Sequence, residues 1–198
     1  MANIKMEGSI TNSAAARRDF NIIEPLDDFY EEQGVPLPPF EEVSGEDVPE
    51  PYKTLLVHKN DMTPTLETFH GRDIHLRVLS RRLKGDEYFR EVVLLLDETD
   101  EPVEFGAIKI NLDRFSPKAR AQVLDEVRPL GHILAEIVEA HASHPKCFLK
   151  FTPDGLIKDA LAVEGDGPLY GRRNTLWDPE GLPMAEIVEI LPAVKTAD

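Results

Sequence analysis

Arg90 lies inside the run Tyr88-Phe89-Arg90-Glu91-Val92-Val93-Leu94-Leu95-Leu96. Beyond the Arg90-Glu91 pair this run is apolar on both parities, the pattern of a central strand covered on both faces. Alternation puts Arg90 in phase with Val92 and Leu94, so its guanidinium points into a covered layer. A charge held there needs a counter-charge. Two kinds of partner meet that need. One is an internal carboxylate, with Glu189 or Glu91 available; the other is a ligand carboxylate, which a guanidinium grips through two parallel hydrogen bonds. Glu186 and Glu189 stand three apart in the run from Met184 to Leu191 and must face opposite sides of a strand. The one turned inward has the environment of an acid or hydrogen-bond donor near neutral pH. Gly171-Arg172-Arg173 adds a glycine that permits close backbone approach and two arginines on opposite faces.

Other chemistries lack their residues. There is no glycine-rich phosphate loop, no GxSxG turn and no HExxH pair. The histidines show no metal-ligand spacing, and a single cysteine, Cys147, cannot build a thiolate zinc site or an internal disulfide. Neither a metal nor a cofactor is expected. Cys147 reads as a small buried apolar residue in a reducing, cytoplasmic setting.

These side chains need elements to hold them. Alternation predicts strands over 73–83, 88–96 and 103–111, separated by the short breaks at Lys84-Gly85-Asp86 and Thr99-Asp100-Glu101-Pro102, hence an antiparallel meander. Thr63-Pro64 predicts a helix start running to Gly71, and Ser116-Pro117 another to about Val127. A third helix, from Pro129 through His141, carries Leu130, Ile133, Leu134, Ile137 and Val138 on one face. A short strand follows at 147–151, and one or two helical turns at 154–161. A hairpin of 169–177 and 184–191 closes the chain around Asp178-Pro179-Glu180-Gly181. Strands, then helices, then strands predict an α+β fold with helices on one face of an antiparallel sheet.

The 198 residues suit one domain with a core. Residues 1–50 hold twelve acids against three bases, and six prolines fall between Glu24 and Pro51. This stretch reads as an acidic extension, partly disordered or lying on the surface through Phe20, Phe29 and Phe40, ahead of a domain over 51–196. A net charge of −15 is a poor match for nucleic acid or an anionic membrane, and no run is long and apolar enough to span a bilayer.

Six segments, in order, resemble the chorismate lyase family. They are Leu55-Leu56-Val57 leading to Asp61-Met62-Thr63; Arg90 to Leu95; Glu101-Pro102 with Gly106; Pro129-Leu130-Gly131; Leu169 to Arg173; and Glu189-Ile190-Leu191-Pro192. The resemblance covers about 55–192 and implies a central antiparallel sheet with helices closing a buried ligand pocket. It implies a cofactor-free lyase that releases pyruvate from chorismate to give 4-hydroxybenzoate. In that reading Arg90 clamps the ring carboxylate and Glu189 assists proton transfer, as the two catalytic residues. Met62, Gly106 and Leu130 line the pocket, and Glu186 and Arg172 are further candidates for substrate contact. Two other functions fit the same frame: an enzyme of secondary metabolism acting on another carboxylate-bearing substrate, and a non-catalytic module binding a small aromatic acid.

Overall fold

The computed structural model describes residues 21–138 and 140–193. Seven strands form one antiparallel sheet in the order β1-β5-β6-β7-β4-β3-β2. In chain order the elements are α1 (Leu26–Gln33), β1 (Phe40–Val43), α2 (Tyr52–Leu56), α3 (Met62–His70), β2 (Ile74–Lys84), β3 (Glu87–Leu96) and β4 (Pro102–Asn111). After these come α4 (Pro117–Asp125), α5 (Leu130–Ile137), β5 (Ala142–Phe151), α6 (Gly155–Leu161), β6 (Leu169–Trp177) and β7 (Pro183–Leu191). The α+β architecture expected from the sequence is the one observed, but helices cover both faces of the sheet rather than one, because α1 and α6 pack on the face opposite α2 to α5.

Alternation divides the sheet residues between two cores. Phe89, Val93 and Leu95 of β3, Phe105 and Ala107 of β4, and Val188 and Ile190 of β7 pack with α1 and α6 on one face. The other face carries Tyr88, Ile108, Ile110 and Ile187 under α4 and α5, and Leu94 under α2 and α3. Strand β3 is thus buried on both sides, as its continuous apolar run predicts.

Several boundaries differ from the sequence reading, among them that of β5, which begins at Ala142 rather than Cys147. α3 begins at Met62 with Asp61 in the cap position, rather than at Thr63-Pro64. α5 ends at Ile137 instead of running to His141, because β5 begins at Ala142 and pairs there with Trp177, which demands extended backbone. Residues before 51 also join the sheet and its core. Leu26, Phe29 and Tyr30 of α1 are buried in the first core, and β1 pairs with β5 at the sheet edge, Phe40 opposite Phe151. Three large apolar side chains on one short helix were enough to anchor an otherwise acidic stretch. Phe20 lies outside the described residues.

Candidate functional site

The second face of the sheet and the amino ends of α3 and α5 enclose a cavity of about 60 Å³. Register sets its floor in rows. Arg90 lies beside Ile108, Ile187 and Asn174; the next row is Val92, Gly106, Glu189 and Arg172. Glu104 lies beside Leu94 in the row beyond. Met62 and Thr63 from α3, and Leu130, Gly131 and Leu134 from α5, form the roof. Of the seven residues singled out from sequence, Arg90, Glu189, Met62, Gly106 and Leu130 all line this one cavity.

The other two do not. Glu186, three residues before Glu189, falls on the opposite face, where its carboxylate meets Lys109 at 2.8 Å and Arg173 at 3.2 Å. Burial works against its charge there, but the two cations hold its pKa below the usual carboxylate range. Arg172 is wholly buried behind the cavity wall, and its donors point away from any occupant. Its Nε donates to Glu189, Nη1 to the carbonyls of Leu56 (3.3 Å) and His58 (3.2 Å), and Nη2 to that of Asn60 (3.2 Å). Arg172 therefore fixes Glu189 and ties down the segment leading into α3.

Arg90 is 2% exposed. Among the described residues no carboxylate lies within ion-pair distance of it, and its Nε has no hydrogen-bond partner. Nη1 makes a long contact of 3.5 Å with the Val123 carbonyl. Burial pulls the guanidinium pKa down, while the charge and hydrogen bond of Tyr88 and the charge of Glu126 act the other way. Glu189, the internal partner considered from sequence, is taken by Arg172 instead, and Glu91 points to the opposite face, where Ser80 donates to it at 2.8 Å. The cavity thus separates Arg90 from Glu189.

The roof is built to close. A Cβ on Gly131 would come within 2.7 Å of Thr63 Oγ1 and 2.9 Å of Thr63 Cβ, so glycine is what lets α5 lie directly on α3. Two side-chain pairs tie the same region: His132 Nε2 to Glu67 at 2.8 Å, and His141 Nε2 to Asp61 at 2.7 Å. Because the Asp61 carboxylate is drawn to His141, it makes no capping bond to α3, and Pro129 has no side chain with which to cap α5. Both helices therefore present uncapped amino ends to the cavity, which favours an anionic group nearby.

Two lining carboxylates were not read from the sequence. Asp61 leaves Oδ1 buried and unpartnered. Glu104, 4% exposed, leaves Oε2 likewise. Burial pushes the Glu104 pKa well above the usual carboxylate range, Glu189 pushes it further, and Arg172 partly opposes both. Its signal was present: Glu104 shares the parity of Gly106 in the otherwise apolar run Val103–Ile108. Among the described residues no group of histidine, cysteine and acidic side chains is arranged to hold a metal ion, and no helix is long and apolar enough to cross a membrane.

No family model matches the chain, and no curated protein does. Solved structures do. The chain is similar to PhnF from Mycobacterium smegmatis, with a TM-score of 0.51 at 13% identity over 72% of this chain and 71% of that one. A separate structure of the PhnF effector domain matches with the same score and identity over 70% of this chain and 96% of that domain. At this identity the likeness concerns the fold: the chain shares the sheet-and-helix architecture of the PhnF effector domain.

Proposed function

We propose that this chain is a binding module for a small ring-bearing monocarboxylate, held in the cavity under α3 and α5. The observation that carries this is Arg90, a buried guanidinium in the cavity wall without a carboxylate of its own. A buried cation is tolerated when something supplies the opposite charge, and a ligand carboxylate matches its fork geometry. The uncapped ends of α3 and α5 add to the attraction. The effector-domain fold of PhnF supports a ligand-holding role. Charge argues for a monoanion: Arg90 is the one cation among the lining residues, against Asp61, Glu104 and Glu189.

The cavity is smaller than the roughly 150 Å³ that accommodates a benzene ring. Admitting a ring therefore requires α3 and α5 to part. Isothermal titration of the purified protein with benzoate and 4-hydroxybenzoate tests the reading. Binding that Arg90→Met removes while the fold persists is the expected result. Affinity that is unchanged in Arg90→Met, or no binding of either acid by the unaltered protein, rejects it.

A second reading, chorismate pyruvate-lyase, is favoured by the adjacent carboxyls of Glu104 and Glu189, which could serve as acid and base. The reaction breaks the ether bond to the ring. It removes a proton from the neighbouring hydroxyl-bearing carbon and protonates the departing enolpyruvate to pyruvate. Arg90 would hold the ring carboxylate and Glu189 would take part in the proton transfers. Chorismate carries a second carboxylate, for which the lining offers no further cation, so this stands behind simple binding. Pyruvate release from chorismate that Arg90→Met and Glu189→Gln both abolish would raise it to first place.

A further inference from the structure

Glu91 follows Arg90 in β3 and points to the other face of the sheet, where it is 4% exposed. It lies at a depression of about 340 Å³ bordered by β2, β4 and the facing ends of α1 and α6. Phe29, Phe105, Leu79 and Leu156 give this depression apolar walls. A bulge in β2 between Val78 and Ser80 breaks the alternation there, so the consecutive residues Leu79 and Ser80 both serve the one face. The volume exceeds the roughly 150 Å³ that accommodates a benzene ring.

The carboxyl of Glu91 is buried without a counter-charge. Ser80 Oγ donates to it at 2.8 Å and Gln33 Nε2 at 3.4 Å, both to Oε2. Among the described residues Oε1 receives no hydrogen bond, and no cation lies within ion-pair distance of either oxygen. Burial raises the Glu91 pKa and only the Ser80 hydrogen bond opposes it. Arg82 shares this face but is committed elsewhere. Asp28 holds it at 3.1 Å, Glu32 pairs with it as well, and its guanidinium lies 4.1 Å from the centre of the Phe89 ring.

The helix ends agree with a missing cation. Glu32 and Gln33 belong to the last turn of α1, which carries no basic residue, and the carboxyl end of a helix favours positive charge. The amino end of α6, which contributes Leu156, already has its carboxylate: Asp154 Oδ1 accepts from the Ile157 amide at 3.0 Å. Three acceptors therefore border the depression: Glu91 Oε1, the lone pairs of Ser80 Oγ and the amide oxygen of Gln33. An ammonium has three hydrogens to give them, whereas one free carboxylate oxygen cannot receive the two-pronged fork of a guanidinium.

We propose that this depression is a second binding site, for a small primary ammonium carried on an apolar or aromatic body, with Glu91 as its counter-charge. It lies across the sheet from the cavity under α3 and α5, and it stands whether or not that cavity holds a carboxylate.

The test is isothermal titration of the full chain with phenethylamine and with phenethyl alcohol, which has the same skeleton without the charge. Salt of about 0.15 M screens general attraction of the amine to an acidic protein. The amine should bind about thirtyfold more tightly than the alcohol, the worth of one charge-assisted hydrogen bond to a buried carboxylate. Glu91→Gln keeps the shape and should bring the two within about twofold of each other. Should that variant not fold, Leu79→Trp gives the answer. Leu79 is 46% exposed at the rim, and the larger ring should fill the depression and remove binding of both compounds. Equal binding of amine and alcohol by the unaltered protein, or binding of neither, overturns the proposal. So does an amine preference that survives Glu91→Gln, or amine affinity untouched by Leu79→Trp.

Discussion

Arg90→Met separates a group kept for binding from one kept for structure. Methionine retains most of the apolar stem and deletes the charge. In the folded protein that charge is 2% exposed, lacks a carboxylate partner among the described residues and leaves Nε unsatisfied. Its favourable interactions are with Tyr88, with the Val123 carbonyl at 3.5 Å and with the charge of Glu126. Replacing such a group by an apolar one should stabilise the fold by about 1–3 kcal/mol, toward the lower part of the range seen when buried ionic groups are exchanged for apolar packing. For a domain of this size that is a rise in Tm of about 2–12 °C. Ligand affinity should move the opposite way, by about 2 kcal/mol or more, some thirtyfold, since a carboxylate would be left in the cavity without its guanidinium. Arg172→Met is the contrast. It strands the Glu189 carboxylate and frees three backbone carbonyls, a loss of about 3–5 kcal/mol. Differential scanning calorimetry on both variants, beside titration with benzoate, reads all of this. A fall in Tm for Arg90→Met comparable to that for Arg172→Met would mean that Arg90 has an internal counter-charge, and the argument for a ligand carboxylate would fail.

Glu104→Gln tests the buried acid through pH. A carboxyl whose folded pKa lies above its unfolded value binds more protons folded than unfolded, so wild-type stability falls as pH rises above the ordinary value of 4.5. Each unit of upward shift costs about 1.4 kcal/mol at neutral pH. The glutamine variant should therefore gain Tm relative to wild type near pH 7 and lose that gain near pH 4, both pH values approximate, as followed by thermal melts. Gly131→Ala should lower Tm despite the roughly 1 kcal/mol that alanine adds to a helix, because the new methyl meets Thr63 and overpacking costs about 1–3 kcal/mol. Gly155→Ala, where a Cβ meets open space, is the control and should not lower Tm. The His141–Asp61 pair should loosen as pH rises. The hydrogen bond to Asp61 raises the His141 pKa, with burial opposing, so its contribution is full below 6.5 and is lost as pH climbs through the folded value. Protection of the amides in residues 58–63, with the intrinsic rise of exchange with pH divided out, should fall between about pH 6 and pH 8, and His141→Gln should abolish that fall. An unchanged pH profile in the variant would remove His141 from the roof.

The sequence by itself determined six of the seven strands, β5 only in its second half, and the direction of their side chains. The period-two alternation of β2, β3 and β4, the hairpin signal at Asp178-Pro179-Glu180-Gly181 and the one-sided apolar stripe of α5 are local patterns, and local geometry fixes what they become. The same alternation placed Arg90 on a covered face and Glu186 and Glu189 on opposite ones. It could not say which glutamate faced the cavity, because that depends on which side α3 and α5 cover. Tertiary structure decided three further matters. Residues 21–50 joined the fold, since burial of Leu26, Phe29 and Tyr30 outweighed an acidic, proline-rich composition. Arg172, rather than Arg90, took Glu189 as partner, because β6 lies beside β7 whereas β3 is held apart from it by β4. Glu104 became part of the site only because the sheet brings β4 alongside β7 and Gly106 leaves the gap between them open. Pairings between residues far apart in sequence are set by strand order and by the helices that roof the sheet. A local pattern carries neither.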